Sequence, residues 1–225
     1  MSWLVIDTAS SDCRVGLLRS SDRRLFSNIE SAAQSHSRCI LSMIDTLLTQ
    51  ASTPLPTIQA LVWNAGPGSF TGIRIAASVV QSLSYSLQIP FLSLSSLEIM
   101  AYAAAHKESG PLPICVALDA RMNGIYWASF SIENGVLSRT EEDRLVVKEE
   151  FEKHCCMVDR TILLVGDAWP SVMQPTDSNT ALEDLIALAR FKQQQDWQNT
   201  AASCLPNYVQ STVGWQKRTR VRAVE

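Results

Sequence analysis

The sequence predicts an α/β fold that uses one structural unit twice, and three observations point to it. An apolar run ending in an acid, Trp3-Leu4-Val5-Ile6-Asp7, is followed by a polar turn and two more strand-like runs. The same pattern returns later, where Ile114 to Leu118 leads to Asp119, a turn at Arg121-Met122-Asn123-Gly124 and a returning strand over Ile125 to Ile132. Between the two copies, helix-length apolar segments alternate with short strand-like runs.

Each element has a local reason. Trp3 to Asp7 is short and nearly all apolar, as a buried strand is. Cys13 to Leu18 and Arg24 to Ile29 complete an antiparallel meander, with Thr8 to Asp12 as its first turn. Asp7 closes the first strand, facing that turn. An acid there can hold a metal–phosphate, or it can simply tie down the hairpin. Ser35 or Ser37 can cap a helix running to Gln50, with Ile40, Leu41, Met43, Ile44, Leu47 and Leu48 spread over more than one stripe. Ile58 to Trp63 reads as a strand. The helix from Phe70 to Leu87 then carries a single charge, Arg74, and a face of Ile73, Ala76, Ala77, Val80 and Leu87. A helix that is apolar nearly all round is usually covered on both sides, so these two helices predict a partner.

Phe91 to Leu94 is a further strand, and Ser95-Ser96-Leu97-Glu98 fits a capping box opening a helix to His106. Lys107 to Pro111 reads as a linker between units spanning residues 1–106 and 107–225. In the second unit the Asn123-Gly124 pair signals a hairpin. Val136 to Leu137 and Leu145 to Val147 read as separate strands, Lys148 to His154 as a short helix, and Ile162 to Val165 as a strand before Gly166-Asp167. Leu182 to Phe191 is an amphipathic helix, Gln193-Gln194-Gln195 a loop, and the end carries Lys217, Arg218, Arg220 and Arg222.

The loop Asn64-Ala65-Gly66-Pro67-Gly68-Ser69-Phe70-Thr71-Gly72 joins a strand to the longest helix. Gly66 and Gly68 permit positive φ and close backbone approach, while Ser69 or Thr71 can cap the helix. Such a loop suits an anion near the helix N-terminus, and it equally suits close packing against another chain.

Composition narrows the function. Net charge is −3 and charged residues are 18% of the 225, so the body is not a non-specific nucleic-acid binder. The start lacks a basic, apolar leader, and Ile73 to Leu87 carries Arg74, Gln81 and several serines, so neither secretion nor a membrane span is expected. The six cysteines form no CxxC pair, and Cys155-Cys156 are adjacent. Reduced, buried thiols in a cytoplasmic protein are the expectation.

Common chemical motifs fail. No Gly-Lys-Ser/Thr follows the glycine loop, its spacing is not the dinucleotide fingerprint, and Ser69 is not in G-x-S-x-G. His36, His106 and His154 lie far apart with no metal-ligand spacing.

Several segments together resemble one family: Ile6-Asp7-Thr8, His36-Ser37, Gly66 through Ile75, Ile89-Pro90, Ser95 through Glu98, and Asp119-Ala120-Arg121 with Tyr126. They are similar to the bacterial TsaB (YeaZ) family, strongly to about Tyr126 and thinly beyond. Arg38 stands where the family usually has an acid. The resemblance implies an actin/Hsp70-like (ASKHA) fold of two duplicated lobes, the second reduced. It implies a non-catalytic subunit, with no cofactor of its own, required for making N6-threonylcarbamoyladenosine at position 37 of tRNAs that read codons beginning with A. A TsaD-like subunit would carry the metal and the transfer chemistry, and a TsaE-like ATPase would join them. Alone, the chain would pair with itself, and tRNA contact would be indirect or through the basic end.

On this reading the contact surface is formed by Ile40, Ile44, Leu47, Leu48, Phe70, Ile73, Arg74, Ala77 and Val80. An acid at Ile44, Ala77 or Val80 should break it. Two alternatives stand beside it. In one, Asp7, Thr8, Gly66, Gly68, Ser69, Thr71, Gly72 and Asp119 bind ATP for phosphoryl transfer or hydrolysis; in the other, the chain is a glycoprotease-like peptidase.

Overall fold

A computed structural model of the chain describes residues 1–31, 36–108, 111–155, 161–170, 172–176, 179–192 and 196–209. Ser35 as a cap, Gly110 in the linker, Cys156, the glutamine run and the four basic residues near the end lie outside the described residues.

The first sheet has five strands in the order β3-β2-β1-β4-β5. They are β1 (Trp3–Asp7), β2 (Asp12–Leu18), β3 (Leu25–Ser31), β4 (Ala60–Gly66) and β5 (Phe91–Ser95). The first three form the expected antiparallel meander, and β4 and β5 add to β1 in parallel. The second sheet has four strands in the order β8-β7-β6-β9: β6 (Leu112–Arg121), β7 (Gly124–Glu133), β8 (Val136–Val147) and β9 (Leu163–Val165). Its antiparallel β6-β7-β8 and parallel β9 repeat the first four strands of the first sheet. This is the duplicated ASKHA arrangement with a shortened second copy.

Helices α1 (His36–Gln50) and α2 (Phe70–Leu87) cover one face of the first sheet. The buried residues of α1 fall at 36, 39, 40, 43, 44, 47 and 48, the spacing of a single face turned to β1 and β2. So α1 buries one face in the chain's own core and leaves Leu41 outside it, and Ser37 lies inside the helix instead of capping it. The helix buried all round is α3 (Ser96–Ala105), in which every residue except Glu98 is buried. Ile99 and Tyr102 pack on Val62 and Leu92 of the first sheet, while Leu97, Met100, Ala101 and Ala104 pack on Val116 and Phe130 of the second. It is the shared layer between the lobes. Ser95 caps it through Leu97 N at 3.2 Å. Glu98 does not complete the box, because it pairs with Arg139 and Lys192.

Helix α4 (Lys148–Cys155) covers the outer face of the second sheet, where Phe151 packs on Trp127 and Trp169. The expected division at residue 107 does not hold to the end of the chain. Helix α5 (Leu182–Phe191) returns to the first lobe, burying Leu182, Leu185 and Leu188 against Val5, Val62 and Leu92. Beyond it, Gln198 bridges to Phe91 of β5, and Cys204 enters the core beneath α2. Among the described residues the second sheet has four strands, and α5 covers the apolar face of the first sheet beside α3.

Candidate functional site: a closed loop, an open cleft and a groove

The glycine loop closes on the chain itself. Thr8 Oγ1 donates to the carbonyl of Gly72 at 2.7 Å, and Ser69 N–H donates to the carbonyl of Ala9 at 2.7 Å. Ser69 caps α2 by accepting from Gly72 N–H at 3.2 Å. A Cβ on Gly72 would fall 1.8 Å from Thr8 O, and one on Gly68 would fall 2.4 Å from Ala9 O. Both glycines are therefore demanded by contact with the β1–β2 turn. Gly66 ends β4 with φ +97, a conformation that Cβ-bearing residues adopt only under strain. The same turn holds the start of α1, where the His36 ring lies 3.1 Å from Ser11 O.

Asp7 is fully buried. One carboxyl oxygen accepts from Ala9 N–H at 3.0 Å, and the other is ion-paired with Arg14, its cross-strand partner. Of the two roles open to this acid in the sequence, the structure shows it tying down the hairpin. Thus Asp7, Thr8, Gly66, Gly68, Ser69 and Gly72 are brought together, as read from sequence, but as a packed junction. Thr71 points elsewhere, into the groove beside α1.

Asp119 is not part of that junction. It lines a cleft of about 760 Å³ built wholly from the second lobe, together with Arg121, Lys148, Phe151, Asp167 and Trp169. Its carboxyl accepts from Arg121 N–H at 2.8 Å, and its own N–H donates to Asp167 at 2.9 Å. Three successive residues of the turn, Arg121, Met122 and Asn123, have positive φ. The Asn123 amide bonds Glu149 at 3.0 and 3.1 Å and holds that carboxyl below its usual range. The pairing of Asp7 and Asp119 across one nucleotide cleft, as the phosphotransferase alternative requires, is not what the residues around each one form. Among the described residues, no three His, Cys, Asp or Glu come together as metal ligands, and no helix is long and apolar enough to cross a membrane.

The expected contact surface is corrected residue by residue. Ile40, Ile44, Leu47, Leu48, Ile73, Ala77 and Val80 are at most 7% exposed and form the chain's own core against β1, β2 and β4. An acid at Ile44, Ala77 or Val80 would therefore disrupt the fold before any contact. Phe70 (58% exposed) and Arg74 keep their place at the surface. The strong apolar periodicity marked the core, and the outer face lies between those positions. There a groove of about 380 Å³ runs between α1 and α2, lined by Leu41, Phe70, Thr71, Arg74, Ile75 and Val79 among others. Leu41 is 63% exposed on one wall. On the other, the Arg74 guanidinium stacks on Phe70 at 3.2 Å and on Tyr208 at 4.8 Å. Tyr208 was missed in the sequence because its partner is 134 residues away in the chain (208 − 74).

Comparison with known proteins agrees with this architecture. Residues 28–154 match the family described as TsaD: tRNA N6-adenosine threonylcarbamoyltransferase. The chain is 30% identical over 229 residues to the tRNA threonylcarbamoyladenosine biosynthesis protein TsaB of Escherichia coli (strain K12), covering 96% of this chain and 98% of that one. The protein of the same name from Bacillus subtilis (strain 168) is 30% identical over 166 residues, 74% of this chain and 71% of the relative. Among solved structures, YeaZ from Pseudomonas aeruginosa matches with a TM-score of 0.74 at 29% identity, over 92% of this chain and 99% of that chain.

Proposed function

The chain belongs to the TsaB (YeaZ) family, and from that premise we propose that it is a non-catalytic docking subunit for tRNA threonylcarbamoyladenosine synthesis. Its partner on this reading is a TsaD-like chain that performs the transfer, with a TsaE-like ATPase joining the assembly and ATP and metal belonging to those subunits. The observation that carries the reading is the α1–α2 groove, where Leu41 and Phe70 stand exposed around half-buried Ile75 and Val79. Large apolar side chains grouped at a groove mark contact surfaces more often than isolated ones do. Two adjacent helices can supply roughly 800 Å² of contact per partner, the size of an ordinary stable interface. A paralogous partner with the same helix pair would meet this face about a pseudo-two-fold axis, and a second copy of the chain would meet it about a true one.

The test compares two substitutions in the full chain. Phe70→Glu should leave thermal unfolding unchanged while weakening association with the cognate TsaD-like chain at least about tenfold, since it puts a carboxylate into a desolvated contact. Ile44→Asp should unfold the chain instead. Reconstituted threonylcarbamoyl transfer should fall with Phe70→Glu in proportion to lost association. Transfer at full rate without this chain would overturn the proposal.

A further inference from the structure

We propose that residues Cys204 to Tyr208 are a strap that fixes the angle between the lobes and ties it to the α1–α2 face. The segment is anchored at each step. Cys204 is buried under α2, its Sγ 3.6 Å from Ala77 O, and Pro206 is buried after it. Asn207 then bonds to both lobes. Its N–H donates to Ala65 O at 2.8 Å, at the end of β4, and its side-chain amide donates to Asp143 of β8 at 2.5 Å. The next residue, Tyr208, lies over Arg74 at the rim of the groove.

Asp143 is the hub of this seam. Its side chain is only 7% exposed; it is ion-paired with Arg139 and accepts from Ser95 Oγ at 2.6 Å. Arg139 also lies 3.7 Å from Glu98, which receives Lys192 at 2.5 Å. The start of α3, strand β8, the residue after α5 and the strap thus meet in one charged network beside a cavity of about 300 Å³. Opening the seam here means separating several charge-assisted bonds at once. Removing one donor from such a carboxylate costs more than an exposed bond is worth. Because Asn207 and Tyr208 are consecutive, a partner that grips Arg74 and Tyr208 acts on the residue that joins the lobes. That second half rests on the docking reading above, whereas the strap is tested in the chain alone.

The experiment is amide hydrogen exchange on the full chain, comparing Asn207→Ala, Asp143→Asn and Tyr208→Ala. Asn207→Ala should accelerate exchange at residues 93–98 and 139–144 by about tenfold or more, with β1 and β2 unchanged. Asp143→Asn, which keeps the volume, should give the same pattern if Asn207→Ala does not fold. Tyr208→Ala should accelerate residues 139–144 by about threefold, acting through the adjoining Asn207. No change in either region, or equal acceleration in β1 and β2, would overturn the strap. Acceleration with Asn207→Ala but none with Tyr208→Ala would overturn the tie to the groove. The docking proposal stands or falls separately, on association of the Phe70→Glu chain with its partner.

Discussion

In the first lobe Asp7 ends β1 opposite Arg14, whereas in the second Asp119 lies two residues before the end of β6, opposite Ile125. The surrounding parts match: a meander, a helix, and a parallel strand closed by a glycine of positive φ, Gly66 at +97 and Gly166 at +113. With a cation across the ladder, Asp7 is buried and the glycine loop packs down on the turn. With isoleucine there, Asp119 stays exposed at the mouth of a large cleft, and the buried Ile125 serves the core beneath. One cross-strand position thus separates a strand end used as a structural junction from one left open. It also explains how a repeated fold can keep both acids without building one shared site.

The comparison can be broken most severely at the glycines. Gly72→Ala would force a Cβ to 1.8 Å from Thr8 O, and Gly166→Ala to 1.9 Å from Ala117 O. Neither neighbour is a flexible side chain. Each should cost about 4 kcal/mol or more in urea unfolding, the range reserved for such mechanisms. Arg14→Ile gives the first lobe the second lobe's residue and strands a buried carboxylate; a loss of about 3 kcal/mol is expected. Asp119→Ala should change stability by less than about 1 kcal/mol, because the residue is exposed. Equal losses for Arg14→Ile and Asp119→Ala would mean that the two strand ends are not distinguished by their cross-strand partners.

Much of this fold was legible in the sequence wherever apolar patterning was local. The β1–β3 meander, the Asn123-Gly124 hairpin and α5 follow from it directly. Strand β8 was not legible as one element, because Ser138 to Arg144 is polar and charged and reads as a loop; its pairing with β7 makes it a strand. The roles of the helices were exchanged for a related reason. Of the α1 residues Ile40, Leu41, Met43, Ile44, Leu47 and Leu48, all but Leu41 lie on one buried face, while α3 is short and alanine-rich, so its contact with two sheets leaves little trace. In the candidate site, Asp7 and the glycine loop could be picked out, but their occupation could not. The role of Arg14 comes only from the register, which puts it opposite Asp7. The groove was legible in part: Phe70 and Arg74 could be picked out as surface residues, whereas Leu41 was grouped with the apolar positions of α1 that form the core, and Tyr208 lies far along the chain from Arg74.

The smallest expected effect concerns thiols, and it tests where the chain's last described segment lies. Burial pushes the Cys13 and Cys204 thiols from 9.0 up to about 12. Cys204 sits beneath α2, just before the residues that cross between the lobes. Below pH 9 both thiols are protonated in the folded and the unfolded chain alike, so they add no pH dependence. Between pH 9 and 12 the unfolded chain gives up these protons first, and stability falls as pH rises. At pH 8, iodoacetamide should label Cys204 at least about tenfold more slowly in the native chain than in urea. Native labelling at the urea rate would place Cys204 outside the core and remove the anchor from which the lobe-crossing segment starts.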